Sequence, residues 1–276
     1  MSGSSIDGEV WIRLASFVAI LLLMLLWEQL DPRRPALPGR AWRRSNNLLL
    51  VAVNTLLLKV IMPFGAVALA FYAQQQQWGL LNQIKLPLWL SLLVTIILLD
   101  MLIYWQHRLF HLLKPLWRLH QVHHADMDYD TTTGLRFHPI EIILSMVIKF
   151  IAIILLGPAA MAVLVFELLL NGSAMFNHGN IRLPAKLDRW LRCVIVTPDM
   201  HRVHHSIHRH EADSNYGFAL SIWDRLFGSY RHAPQDGQMA MQFGIKYQQN
   251  FQQTSGLWAL LKMPFTLNPP MKKDDD

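Results

Sequence analysis

Residues 142–170 read IILSMVIKFIAIILLGPAAMAVLVFELLL. An α-helix rises 1.5 Å per residue, so roughly 20 apolar residues cross the ~30 Å hydrocarbon core of a bilayer. The run is too long for one ordinary span, and Gly157-Pro158 interrupts it. Proline removes a helical hydrogen bond and clashes with the preceding turn, while glycine loosens the backbone. The stretch therefore predicts two half-length helices forming a hairpin that enters the membrane and returns. Lys149 and Glu167 lie inside it, which a shallow or tilted hairpin tolerates better than a single deep span.

Three more apolar stretches precede the hairpin. Trp11–Trp27 (WIRLASFVAILLLMLLW) carries tryptophan at both ends, where interfacial rings settle. Leu48–Tyr72 is interrupted by Lys59 and Pro63, and Leu86–Leu99 continues through Met101–Trp105 around a lone Asp100. Across the 276 residues, 53% are hydrophobic and only 16% charged, against about 25% charged in a water-soluble chain. That balance excludes a disordered regulator and argues against a soluble globular enzyme. The net charge of +6 on so apolar a chain fits an anionic membrane surface better than nucleic acid. A single cysteine, Cys193, leaves no intrachain disulfide, thiolate zinc site or iron–sulfur cluster to be built from this chain.

Charge sets the expected orientation. Segment 31–46 holds Arg33, Arg34, Arg40, Arg43 and Arg44 against Asp31, whereas 73–85 holds Lys85 and the polar run Gln74–Gln77. The positive-inside rule places 31–46 in the cytoplasm. The third stretch then delivers Arg108, Lys114 and Arg118 to the same side.

The histidines are the chemical signal: there are 13, all between His107 and His232. His107 and His111 are spaced i, i+4. His120, His123 and His124 form H-x-x-H-H, a pattern repeated by His201, His204 and His205, and His178 stands in FNHGN. Positions i, i+3 and i+4 share a helix face, so each cluster aims its imidazoles in one direction, as ligands of one metal require. So many clustered histidines exceed the four ligands of one tetrahedral zinc, which argues for two ions. Imidazole suits zinc, copper, iron and nickel alike. The Glu-x-x-His pairs of soluble di-iron proteins are absent, and a nearly all-histidine pair of metals at a membrane surface points towards iron and oxygen chemistry.

Six segments, DMLIYWQHRLFH (100–111), WRLHQVHH (117–124), TGLRFHPIE (133–141), NHGNIRLP (177–184), VTPDMHRVHHS (196–206) and NYGFALSIWDRLFGSY (215–230), together resemble the fatty acid hydroxylase superfamily, also called the sterol desaturase family. The T-P-x-x-H-R-V-H-H form and the closing WDRLFGSY are most similar to its bacterial members and its alkylglycerol monooxygenase branch. The resemblance implies an integral membrane enzyme that binds two irons through histidines and uses dioxygen to attack a lipid C–H bond, as a hydroxylase, monooxygenase or desaturase. The implied ligands are His107, His111, His120, His123, His124, His178, His201, His204 and His205. Some branches carry a further histidine one helical turn before the equivalent of His178; here that position is Ala174. If 142–170 crossed the membrane once, His178 and His201 would lie opposite His107 and His124. A shared site therefore requires an even number of crossings, which a hairpin at Gly157-Pro158 supplies.

The expected architecture is an all-α membrane bundle of about three full spans plus the broken hairpin, with a cytoplasmic helical cap carrying the dimetal site. Residues 1–106 form the anchor and 107–276 the catalytic region. Metal-bound imidazoles usually pass their other N–H to a carboxylate or carbonyl; Asp100, two helical turns before His107, and Asp199 and Asp224 are the expected carboxylates. His138, before Pro139 in a loop, could be a remote ligand or a substrate-side donor, although a loop histidine more often serves as neither, and His208, His210 and His232 belong to the surface. Gly256–Phe265 is apolar enough to lie in the interface as a cover. No G-x-G-x-x-G or P-loop pattern occurs, so electrons come from a separate redox partner, and the basic face would steer an acidic one. A membrane zinc hydrolase or a non-enzymatic metal-binding protein are the alternatives that spacing leaves open.

Overall fold

The computed structural model describes residues 3–84 and 86–268, with side chains from residue 8 onward; Lys85, counted above for the glutamine loop, lies outside the described residues. In order, the helices are α1 (Gly3–Leu30), α2 (Arg40–Ile61), α3 (Ala66–Gln75), α4 (Leu88–Leu112), α5 (Lys114–His124), α6 (Pro139–Leu156), α7 (Ala160–Asn177), α8 (Ala185–Leu191), α9 (Pro198–His204), α10 (Arg209–Ala212), α11 (Ile222–Leu226), α12 (Gly237–Ala240), α13 (Phe251–Ser255) and α14 (Leu257–Thr266). Among the described residues there are only isolated β-bridges and no strand.

The hairpin forms where the sequence breaks. His138 caps α6 by accepting from the Ile140 amide, and Pro139 opens the helix, where its missing N–H costs nothing. Gly157 closes it in the left-handed region at φ 62°, a conformation that favours glycine. Its backbone also meets Gly79: a Cβ on Gly79 would lie 2.2 Å from the Gly157 nitrogen. Segment 78–82 and the hairpin turn therefore touch at the end of the bundle away from the histidines. The two arms are longer than expected. Each has 18 residues, about 27 Å of helix, because the polar ends Pro139–Glu141 and Asn171–Asn177 continue the helices beyond the apolar run. Five segments are thus long and apolar enough to cross a membrane: Gly8–Leu30, Arg40–Gln75, Leu88–Leu112, Pro139–Leu156 and Ala160–Asn177. Within Arg40–Gln75 the chain breaks at Met62–Gly65, around the Pro63 noted in the sequence.

Buried charge inside this apolar bundle is paired, as the cost of an isolated ion in hydrocarbon demands. Lys149 and Glu167 join the hairpin arms at 2.8 Å, and Arg13 of α1 reaches the other Glu167 oxygen at 2.7 Å. Nearer the histidines, Arg43 is fully buried and pairs with Asp126, Asp128 and Asp130, while Arg44 pairs with Glu28 and Asp130. Glu28 also accepts from the Thr131 and Asn180 amides. Several arginines that carried the sidedness signal are therefore ion-pair partners holding loop 125–138 onto α1 and α2. Helix α14 packs Leu260 and Met263 against Leu50, Trp117 and Val122, leaving Trp258 74% exposed.

Candidate metal centre

The site gathers where α4 ends, α5 and α9 lie, and α7 runs into His178. Each of these elements has a local reason. Leu113 breaks α4 in an extended conformation, and Pro115 in the first turn restarts the chain as α5. Thr197 and Pro198 start α9 in the same manner. The result brings all nine expected histidines together in two adjoining groups. His107, His111, His120, His124 and His204 place one ring nitrogen each within 4.8 Å of one another; His123, His178, His201 and His205 do the same. All nine are buried.

This partition corrects one expectation. The H-x-x-H-H clusters are each divided between the two groups rather than aimed at one metal. From the first copy, His120 and His124 (i, i+4) enter the five-histidine group and His123 enters the other. From the second copy, His201 and His205 (i, i+4) enter the four-histidine group and His204 enters the other. The two groups meet where His124 stacks on His205, centroids 4.5 Å apart.

Hydrogen bonds fix the tautomers of the first group. His107 Nδ1 donates to the Tyr216 carbonyl at 2.8 Å and His204 Nδ1 to the Ser214 carbonyl at 2.7 Å. His120 Nδ1 donates to Glu141 at 2.7 Å, and His111 Nδ1 to Asp213 at 3.3 Å. Carbonyls and carboxylates accept only, so these neutral rings carry the proton on Nδ1 and leave a lone pair on Nε2. The Nε2 atoms of His107, His111, His120, His124 and His204 are buried without a hydrogen-bond partner, a costly condition for a polar atom. In the second group, His178 Nδ1 is held by the Ala174 carbonyl at 2.8 Å and Asn177 Oδ1 at 2.5 Å. Its Nε2 lies 3.1 Å from Nε2 of His123 and of His205 and 3.2 Å from Nε2 of His201. Ring faces support this group instead: Phe137 stacks on His123 and Tyr129 on His178.

Burial pushes the imidazoles of His120 and His178 down to about 3. His123, His124, His201, His204 and His205 are also held far below the ordinary histidine range, by burial first and neighbouring imidazoles second. At neutral pH they are uncharged donors. A closed set of nitrogen donors fits transition metals and not calcium or magnesium, which take oxygen ligands.

None of the three expected carboxylates touches an imidazole. Asp100 accepts from the Ala219 and Leu220 amides and from Trp223 Nε1, at 3.2, 3.0 and 2.9 Å. It fixes the segment whose Tyr216 carbonyl holds His107. Asp224 accepts from the Gly217 amide and the Ser229 hydroxyl, and Asp199 pairs with Arg33 and Arg202. The carboxylates that do reach histidines are Glu141 and Asp213, which sequence reasoning passed over although HPIE carries Glu141. His138 donates to the Leu261 carbonyl besides capping α6. His208 pairs with Asp236 at the half-exposed rim, and His210 and His232 are exposed. A pocket reaches His124 from outside, lined among others by Trp117, His208, Arg209, Lys246 and Tyr247.

Comparison with known proteins gives the family. The family described as fatty acid hydroxylase matches residues 92–229. The chain belongs to the fatty acid hydroxylase family. Human alkylglycerol monooxygenase is 31% identical over 132 residues, covering 46% of this chain and 27% of that protein. The ornithine lipid hydroxylase OlsE of Rhizobium tropici is 25% identical over 232 residues, 79% of this chain and 66% of its own length. Mouse lathosterol oxidase is 28% identical over 149 residues, 52% of this chain and 47% of that protein. The match thus spans about a quarter of the length of the alkylglycerol monooxygenase. No solved structure matches the chain. Within the family, the five long apolar helices mark this chain as a multi-pass membrane protein.

Proposed function

We propose that the protein is a lipid-oxidising oxidoreductase. In this reading the five- and four-histidine groups hold one iron ion each, and the enzyme inserts oxygen into a C–H bond of a membrane lipid or removes two hydrogens from adjacent carbons to leave a double bond. For hydroxylation the balance is R–H + O2 + 2 e⁻ + 2 H⁺ → R–OH + H2O, with the electrons drawn from a separate redox protein. The observation that carries the reading is the row of five buried, unpartnered Nε2 atoms in the first group, four of them on rings whose other nitrogen is held by the chain. Bound iron would supply the one-electron chemistry that dioxygen needs. The chain's own part is to keep nine imidazoles neutral, to lock the ring orientation through Tyr216, Ser214, Glu141 and Asp213, and to exclude bulk water by burial.

The relatives act, by name, on an alkylglycerol, an ornithine lipid and a sterol, so the substrate class is an amphiphilic lipid. The arginines of 31–46 support a site on the cytoplasmic face. Arg209 and Lys246 line the pocket at His124, which suits an acidic electron carrier and predicts electron delivery that weakens as salt rises. The test is lipid oxidation by the purified full chain in bilayer nanodiscs with a chemical reductant. Turnover should require dioxygen and iron. Oxygen-independent lipid cleavage by a zinc-loaded protein would replace this reading with the hydrolase.

A further inference from the structure

Outside the histidine groups and the five long helices, α8 and α11 carry an exposed apolar surface that has no partner among the described residues. Leu187 and Trp190 of α8, Val194 in the turn that follows, and Ile222 and Leu226 of α11 are all exposed, Trp190 by 77% and Leu226 by 65%. The two pieces form one body. The Ser221 amide donates to the Val194 carbonyl at 3.0 Å, the Val196 amide to the Ala219 carbonyl at 2.9 Å, and the Ser221 hydroxyl to the Arg192 carbonyl at 2.7 Å.

The level of this surface along the bundle identifies what covers it. Residues 219–223 are hydrogen-bonded to Asp100, which lies about 18 Å along α4 from its end at Leu112. Phe227 rests against Trp105 and Tyr104 with ring centroids 4.8 and 5.3 Å apart. The segment therefore runs beside the apolar, membrane-crossing part of α4, whose Trp105, Leu109 and Leu112 are themselves exposed. Charge agrees. Lys186, Arg189 and Arg225 around the patch are exposed, whereas the acids of the same segments, Asp188 and Asp224, are buried, Asp188 paired with Arg192 and Asp224 with the Gly217 amide. An apolar surface rimmed by exposed cations suits anionic lipid, with the long basic side chains reaching up to the headgroups.

We propose that α8, the 192–196 turn and α11 form a non-spanning shoulder embedded in the bilayer beside α4, covered by lipid. The patch adds a lipid contact next to the segment that holds His107, and it does not depend on which metal the histidines bind.

Cys193, the chain's single cysteine, is exposed within the patch and serves as the reporter. The full chain is spin-labelled there in nanodiscs of phosphatidylcholine and phosphatidylglycerol. Collision with dissolved oxygen and with a water-soluble nickel complex is then compared with a label at Leu109→Cys in a Cys193→Ser background. The expected result is an oxygen-to-nickel ratio at Cys193 close to that at Leu109. A ratio dominated by nickel overturns the proposal by placing the patch in water. Protection from both agents with dipolar broadening between labels overturns it in favour of a second copy covering the surface.

Discussion

The two histidine groups are held in place by different means. In the five-histidine group, four rings are anchored through Nδ1 by acceptors from other parts of the chain: Tyr216, Asp213, Glu141 and Ser214. In the four-histidine group, His178 has such anchors in Ala174 and Asn177, while His123 and His201 keep Nδ1 buried without a hydrogen-bond partner. His123 is ordered by stacking on Phe137 and His201 by stacking on His204, while Tyr129 stacks on His178; Phe137 and Tyr129 both lie on loop 125–138, which the buried Arg43 ties down through Asp126 and Asp130. One group is preorganised by hydrogen bonds to its rings, the other by stacking from a loop under ionic restraint. Ligand orientation by an outer hydrogen bond raises ligand basicity and metal affinity, so the first group should hold its metal more tightly. Chelator-driven release from the full chain should be biphasic, with the slow phase belonging to the five-histidine group.

The largest expected effect comes from the ligands themselves. His204→Ala and His201→Ala should each abolish lipid oxidation while the protein still inserts in the membrane. The slow phase of metal release should disappear in the first variant and the fast phase in the second, as read by metal analysis along the chelation course. Next comes Arg43→Met, which leaves buried Asp126 with Arg136 alone as its cation, at 3.6 Å, and Asp130 with Arg44 alone. Breaking such a pair costs about 3–5 kcal/mol, so thermal unfolding of the protein in nanodiscs should move to clearly lower temperature, and the fast phase of metal release should quicken more than the slow one. Glu141→Ala removes the acceptor on His120 alone and should weaken metal affinity of the first group by roughly 10–100-fold, with the second group unchanged in a competition titration. The smallest effect is expected from Asp100→Asn, which keeps shape but loses charge at the Ala219, Leu220 and Trp223 donors. It reaches His107 only through the Tyr216 carbonyl, so release from the first group should quicken by a few-fold at most, against about 1–3 kcal/mol for a charged hydrogen-bond partner lost outright.

Much of this was readable in the sequence, and the parts that were not share a cause. The spacing of His107/His111 and of the two H-x-x-H-H copies identifies the histidines that meet, because helical spacing is a local property. How the copies divide between two groups is not local: it depends on how α5 and α9 face each other, which puts His120 and His204 together and His123 with His201. The carboxylates failed for the same reason. Asp100 and Asp199 were chosen for nearness in sequence, whereas Glu141 and Asp213 reach their histidines by tertiary packing across 21 and 102 residues. Gly157-Pro158 announced the hairpin because a backbone break is written in single residues. The length of its arms was underestimated because hydropathy ends where polar residues begin, while the helices continue through Glu141 and Asn177. In the sequence Arg43 and Arg44 count only as positive charge that sets sidedness, and only the fold shows the acids that meet them.

The most direct measurement is the metal content and Mössbauer spectrum of the full chain, produced with ⁵⁷Fe and held in nanodiscs. Two irons per chain, seen as two high-spin sites in nitrogen-rich surroundings, is the predicted result, with one of the two lost in His201→Ala and the other in His204→Ala. A single metal per chain, or zinc in both groups with full lipid-oxidising activity, would contradict the account.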